Sequence, residues 1–186
     1  GYCRDDYRVY REKRQGRQNE DEGAGVMKYS TMLLALASLM ATSVQAQHTS
    51  MVSAGDPEGL VKALDDAGYD PVLGTDQGGD PKITMAFGGR EGVILFYGCD
   101  ENAKDNCDAI QFNVGFDRAK PWTAEEAIKL STQFRFAATS LDDDGDPFIR
   151  WDVITGDGIP RKVFLRSVLA FTNLVADAEQ IVFADE

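Results

Sequence analysis

One histidine, His48, is all the imidazole in this 186-residue chain, and there are three cysteines, Cys3, Cys99 and Cys107. His48 precedes the part of the chain with folding signals. A serine in that later part therefore has no imidazole to orient or deprotonate it. Cys-x-x-Cys spacing is missing, which removes the ribbon-type zinc site and the dithiol redox motif. The glycine-bearing runs Asp76-Gln77-Gly78-Gly79-Asp80-Pro81 and Ile154-Thr155-Gly156-Asp157-Gly158 lack the Lys-Ser/Thr ending of a phosphate loop and the spacing of a dinucleotide fingerprint. They read as turns. Basic residues are also in short supply. Nineteen Lys and Arg stand against 31 Asp and Glu, a net charge of −12. A field of that sign repels nucleic acid and anionic membrane.

Long apolar runs are scarce as well, and the one present is informative. Met27-Lys28 precede an uncharged apolar block from Thr31 to Met40 and onward, which ends in Val44-Gln45-Ala46. A positive start, an apolar middle and small residues before a cut are the order of a secretory signal peptide, here 27–46 with cleavage after Ala46. The block is short for a bilayer-crossing helix, which needs roughly 20 apolar residues. Cleavage is thus expected over a stable membrane anchor, which places the remainder in the periplasm or outside the cell. Residues 1–26 begin with Gly, are rich in charge and contain only Val9 and Val26 as β-branched apolar residues. Such a stretch cannot bury enough surface to offset its ordering entropy. It reads as a disordered upstream extension before a true start at Met27. A basic cytoplasmic tail ahead of an anchor is the alternative.

Cleavage would leave residues 47–186, or 140 residues, enough for one domain with a real core. Removing the first 46 residues takes away seven basic and six acidic side chains, which leaves 12 and 25 and a net charge of −13. Cys99 and Cys107 remain. In an oxidising compartment an isolated pair eight positions apart reads as a disulfide. Closing so short a loop stabilises by roughly 2–3 kcal/mol on chain-entropy reasoning. The rival, a metal or redox pair, has no histidine nearby in the sequence.

After a polar linker at 47–55, Asp56-Pro57-Glu58 is a helix start: Asp caps free amides, Pro takes the first turn and Glu answers the dipole. Leu60, Val61, Leu64 and Ala67 recur at helical spacing and Gly68 is a stop, so a short amphipathic helix is predicted over 57–67. Tyr69 to Gly74 is a first strand, weakened by Pro71. Ile83, Met85 and Phe87 alternate with polar or small residues, and Gly88-Gly89 supplies a turn. Val93-Ile94-Leu95-Phe96-Tyr97 is continuously apolar, which predicts a strand covered on both faces. Ile110, Phe112, Val114 and Phe116 alternate with Gln111, Asn113 and Gly115, which predicts one wetter face. Cys99 and Cys107 bracket the loop between these last two strands.

Thr123-Ala124-Glu125-Glu126 is a capping box with Trp122 in the staple position, and Ala127, Leu130, Phe134 and Ala137 mark one helix face. Ser140-Leu141, an acidic turn, and Ile149, Trp151 and Val153 form a further pair of strands. Pro160 opens the longest helix. Its stripe, Phe164, Val168, Phe171, Val175, Ala178 and Val182, faces a core. The order is helix, about four strands, helix, two strands, long helix. It predicts one α+β domain over 56–184, an antiparallel sheet packed by helices. No repeat of 20–50 residues is visible.

Asp142, Asp144 and Asp146 alternate in Leu141-Asp142-Asp143-Asp144-Gly145-Asp146-Pro147 and invite a calcium reading. The calcium loop needs Gly at its sixth position and Glu at its twelfth, where this chain has Pro147 and Val153. An acidic turn explains the segment instead. Glu125 and Glu126 are adjacent on a helix and point apart, so their capping role accounts for them. No catalytic, cofactor-binding or metal residue is assigned, and no cofactor.

Several segments taken in order resemble the YbjN-type family, also called the bacterial sensory transduction regulator family. They are Leu64-Asp65-Asp66-Ala67-Gly68-Tyr69, Asp76 to Pro81, Phe96-Tyr97-Gly98-Cys99 with Cys107, Ile110-Gln111-Phe112, and Gln133-Phe134-Arg135-Phe136-Ala137 leading into Leu141-Asp142 and Asp144 to Pro147. The likeness covers about Asp56 to Val182. Where the family often has Trp-Asn, this chain reads Leu130-Ser131-Thr132-Gln133. The resemblance implies a fold like that of type III secretion chaperones, and it implies no reaction, cofactor or catalytic residue. The expected function is a non-enzymatic protein- or peptide-binding module using an exposed sheet face or an apolar groove. Dimers are common among such shapes, so a homodimer is an open expectation. The alternative is a carboxylate-using cation or small-ligand binder, or an enzyme of another kind.

Overall fold

A computed structural model of the chain describes residues 50–185. The expected leader at 27–46, the extension at 1–26 and His48 lie outside the described residues. In chain order come β1 (Met51–Val52), α1 (Pro57–Asp65), β2 (Val72–Thr75), β3 (Pro81–Phe87), β4 (Arg90–Tyr97), β5 (Ala109–Gly115), α2 (Ala124–Gln133), β6 (Ala138–Leu141), β7 (Pro147–Ile154), β8 (Ile159–Pro160) and α3 (Arg161–Val182). Strands β2 to β7 form a six-stranded antiparallel sheet in the order β2-β3-β4-β5-β7-β6. The predicted α+β architecture is the one observed.

The caps read from sequence are in place. Asp56 Oδ1 accepts the Gly59 amide at 3.0 Å, and α1 buries Leu60, Ala63 and Leu64. Thr123 and Glu126 form the reciprocal capping box at the start of α2. All six members of the α3 stripe are buried. Phe171 sits at the centre of the core, its ring 5.1 Å from Phe87 and 5.4 Å from Phe112.

Several expectations need correction. Val52 is 7% exposed and Ala54 is fully buried, so the expected linker is part of the body from Met51 onward. A two-residue β1 pairs with β8, and the Thr155 hydroxyl receives the Ala54 amide at 2.8 Å while donating to the Asp108 carbonyl. Strands of two residues carry no periodicity to read. Helix α1 ends at Asp65, two residues short of Ala67, which is exposed. Helix α2 ends at Gln133 because Phe134 is already extended. Phe134 and Ala137 therefore meet the core from the link to β6.

Strand β4 is not covered on both faces. Ile94 and Phe96 face the core, whereas Val93 and Leu95 are only half-buried and Tyr97 is exposed. A continuous apolar run predicts cover on both faces, but among the described residues helices pack against one side only.

The sheet also holds a duplication. Asp76-x-x-Gly79-Asp80-Pro81 and Asp142-x-x-Gly145-Asp146-Pro147 each join an edge strand to its neighbour. Asp76 Oδ1 accepts the amides of Gly78 and Asp80 at 2.8 and 3.0 Å, and Asp142 Oδ1 accepts those of Asp144 and Asp146 at 3.0 and 2.9 Å. Gly79 and Gly145 take nearly the same left-handed backbone, φ 84° and 82°. Each unit is a helix followed by a hairpin, one at either end of the sheet. The two motifs lie too far apart for a search at 20–50 residues.

Candidate interaction surface

Strand pairing assigns every side chain of the sheet to one of two faces. Ile83, Met85, Phe87, Ile94, Phe96, Ile110, Phe112, Val114 and Ile149 form the inner face and are buried. The outer face follows from the register. Lys82, Leu95, Gln111 and Asp152 are successive partners across β3, β4, β5 and β7 and make one row. Thr84, Val93, Asn113 and Arg150 make the next. Ala86 pairs with Glu91, and Gly115 with Phe148, in a third. Helix α3 packs against β3, β5 and β7, α1 against β2 and α2 against β6. The buried α3 stripe shows which side that is: the inner one.

The outer face has a graded chemistry. Leu95 and Val93 stand at its middle, half-buried among their neighbours. Tyr97 is 45% and Ile154 68% exposed at one end. The Tyr97 hydroxyl donates to Gln111 Oε1 at 3.4 Å, and Gln111 Nε2 donates to Asp152 Oδ1 at 2.9 Å. Partial burial, and then the Asp152 charge, push the Tyr97 phenol up, so it stays a neutral donor at physiological pH. At the other end Glu91, Gly92, Val93, Asn113, Gly115 and Phe148 line a shallow groove of about 200 Å³. Its form depends on Gly115. A Cβ there would stand 2.7 Å from the Phe148 ring, so glycine lets that ring lie over the β5 backbone. Such a mixture of apolar centre and paired polar groups suits a protein surface better than a small ligand.

The residues singled out from sequence fall elsewhere. Cys99 and Cys107 meet at the mouth of the β4–β5 loop with their sulfurs in bonding contact. Asp142 gives an oxygen to backbone amides, and Asp146 Oδ1 accepts the Arg118 amide at 2.9 Å. Turn geometry thus occupies these carboxylates. Among the described residues no group of three His, Cys, Asp or Glu side chains stands close enough to share a metal ion. Glu126 is held by Thr123, whose backbone amide and hydroxyl lower the Glu126 carboxyl below its usual range.

Two arginines absent from the sequence reading serve the core rim. Arg90 lies 5.0 Å from the Phe116 ring centroid and 4.7 Å from that of Phe183, and pairs with Glu179 at 2.8 Å. The Arg118 side chain is fully buried and donates to Asp185 at 2.6 Å. Hydrogen bonds from Lys120 and then Arg118 hold the Asp185 carboxyl down at about 2. A buried guanidinium stacked on aromatic rings is tolerable only with such a partner. These residues pin the end of α3.

Comparison with known proteins agrees with this architecture. A family model described as "YbjN: Putative bacterial sensory transduction regulator" matches residues 56–179. The chain is similar in fold to the structure titled "Crystal structure of YbjN, a putative transcription regulator from E. coli", with a TM-score of 0.50 and 15% identity over 70% of this chain and 94% of that one. Likeness at that identity speaks to fold alone. No curated protein matches the chain.

Proposed function

The chain belongs to the YbjN family, and from that premise we propose that it is a non-enzymatic, protein-binding regulatory module working outside the cytoplasm. The observation that carries the binding reading is the outer sheet face. A layer of helices lies on one side of the sheet, while the other presents Val93 and Leu95 framed by Lys82, Glu91, Arg150 and Asp152. Rimmed patches of this kind mark protein contacts. A photo-crosslinking residue at Val93, in the native cell envelope, is expected to give a discrete protein adduct. The same residue at Asn173, exposed on the far side of α3, is expected to give none. Adducts from neither position, or equally from both, would remove the reading.

The compartment rests on the leader at 27–46 and on the juxtaposed Cys99 and Cys107. Thiol labelling of the unreduced, denatured protein should find neither Cys99 nor Cys107 free. Two labelled thiols would argue against both the bond and the oxidising location.

A further inference from the structure

We infer that the open edge of β2 is a docking site for a basic, extended peptide segment, which adds to the sheet as a further strand. The outer face plays no part in this inference, so the two surfaces stand or fall separately.

The two edge strands end in the same turn, and that turn fixes which backbone groups point outward. The Asp76 amide donates to the Asp80 carbonyl, and the Asp142 amide to the Asp146 carbonyl. Ladder bonds alternate along an antiparallel pair. Counting back from each turn, Gly74 and Ser140 bond inward to β3 and β7. Leu73 and Thr75 at one end, and Thr139 and Leu141 at the other, turn their amides and carbonyls away from the sheet. At β6 that edge is closed. The Thr139 amide donates to Ser131 Oγ at 2.9 Å, α2 packs against the strand, and only Ala138 in it is exposed. The equivalent of Thr139 in the first hairpin is Leu73. Among the described residues nothing accepts the Leu73 or Thr75 amide. All four residues of β2 are exposed, Val72 at 63% and Leu73 at 40%. An unpaired edge that carries apolar side chains is a template for another strand.

Charge decides what that strand is. Residues 56–80 carry seven Asp and Glu against one Lys. That lysine, Lys62, is held by Asp66 at 3.0 Å, and Lys104 is held by Asp80 at 3.4 Å. Lys82 pairs with Gly74 and stands on the outer face. Asp70 precedes β2 and Asp76 follows it. Arg161 donates to the Ala63 carbonyl and pairs with Asp66, so that flank of α1 faces α3. Helical spacing puts Val61 and Asp65 on the opposite flank, toward the β2 edge, against which α1 packs. An added strand therefore finds Val61 and Leu73 on the helix side, Val72 on the other, and Asp65, Asp70 and Asp76 around it. Lysine or arginine interleaved with aliphatic residues matches that set, with main-chain bonds for affinity and alternate side chains for preference. The same charges oppose a second copy. Laid antiparallel on its own edge, β2 would bring Asp70 beside the second copy's Asp76.

The test is fluorescence anisotropy of a labelled peptide of alternating arginine and valine, titrated with the purified chain. Saturable binding at micromolar concentration is expected. The same peptide N-methylated at every amide keeps its side chains and loses its donors. It should bind about tenfold more weakly or worse, as should a glutamate–valine counterpart. In the chain, Thr75→Pro removes an outward amide and no ladder bond, which an edge strand tolerates. Asp70→Lys reverses a flanking charge. Each should weaken binding about tenfold, whereas Asp143→Lys, the same charge change at the other hairpin, should leave it within about twofold. Circular dichroism melts equal to the wild type show that the variants fold. No saturable binding, equal binding of the N-methylated or acidic peptide, or Asp70→Lys and Thr75→Pro binding like the wild type overturns the inference. So does a Thr75→Pro chain of lower solution mass than the wild type, which would give the edge to a second copy.

Discussion

Phe171→Ala is expected to lower stability by about 3–5 kcal/mol, the usual cost of truncating a fully enclosed phenyl ring. The ring is completely buried and touches the rings of Phe87, Phe112 and Trp151, so it ties α3 to β3, β5 and β7 at once. Relaxation cannot fill the hole, because the neighbours are themselves rigid aromatics held by strand pairing. A single domain has only about 5–15 kcal/mol in total, so the variant should stand close to unfolding. Urea denaturation is the measurement: the midpoint should fall while the slope stays the same. Leu169→Ala is the control. Leu169 is on the same helix but 53% exposed, and its loss should cost well under about 1 kcal/mol. A Phe171→Ala midpoint near that of Leu169→Ala would mean that α3 is not packed as described.

Gly88→Ala should be the next most damaging change, for a different reason. Gly88 and Gly89 form the β3–β4 turn, both with left-handed backbone, φ 59° and 91°. They differ in what surrounds them. A Cβ on Gly88 would stand 2.8 Å from the Thr172 carbonyl oxygen and 2.9 Å from the Ala176 amide, both backbone atoms of α3. A Cβ on Gly89 meets nothing within 4 Å. Left-handed backbone costs an alanine roughly 1–2 kcal/mol at either site. Overpacking against a helix backbone adds about 1–3 kcal/mol at Gly88 alone. Thermal melts of the two variants should therefore separate, with Gly88→Ala the lower by several degrees. Equal melting temperatures would show that the hairpin tip does not sit against α3.

The elements with local signals were legible. The capping box at Thr123–Glu126, the Asp56 cap and the unbroken stripe from Phe164 to Val182 each follow from chemistry within a few residues, and each is found where it was read. The misreadings share a cause. Val93 to Tyr97 looks like a strand buried on both sides because sequence reports hydrophobicity and not which side has a helix. Phe134 and Ala137 continue the spacing of α2, yet Phe136 turns left-handed at φ 65° and its ring stacks 5.2 Å from Trp151, a partner from another strand. The buried Arg118 was invisible because its aspartate is 67 residues away. The duplicated Asp-x-x-Gly-Asp-Pro turns were visible in the letters, but they become a symmetry only once both hairpins flank one sheet.

By itself the sequence determined the acidic charge, the α+β order and the faces of the helices, because each depends on residue type and near-neighbour spacing. The tertiary structure alone decided that Lys82 and Asp152 end one outward row, that Gly115 opens a groove beneath Phe148, and that Val93 and Leu95 are only half-buried on the outer face. Those are facts of strand register and layer placement. They come from contacts between segments far apart in the chain, which no local pattern encodes.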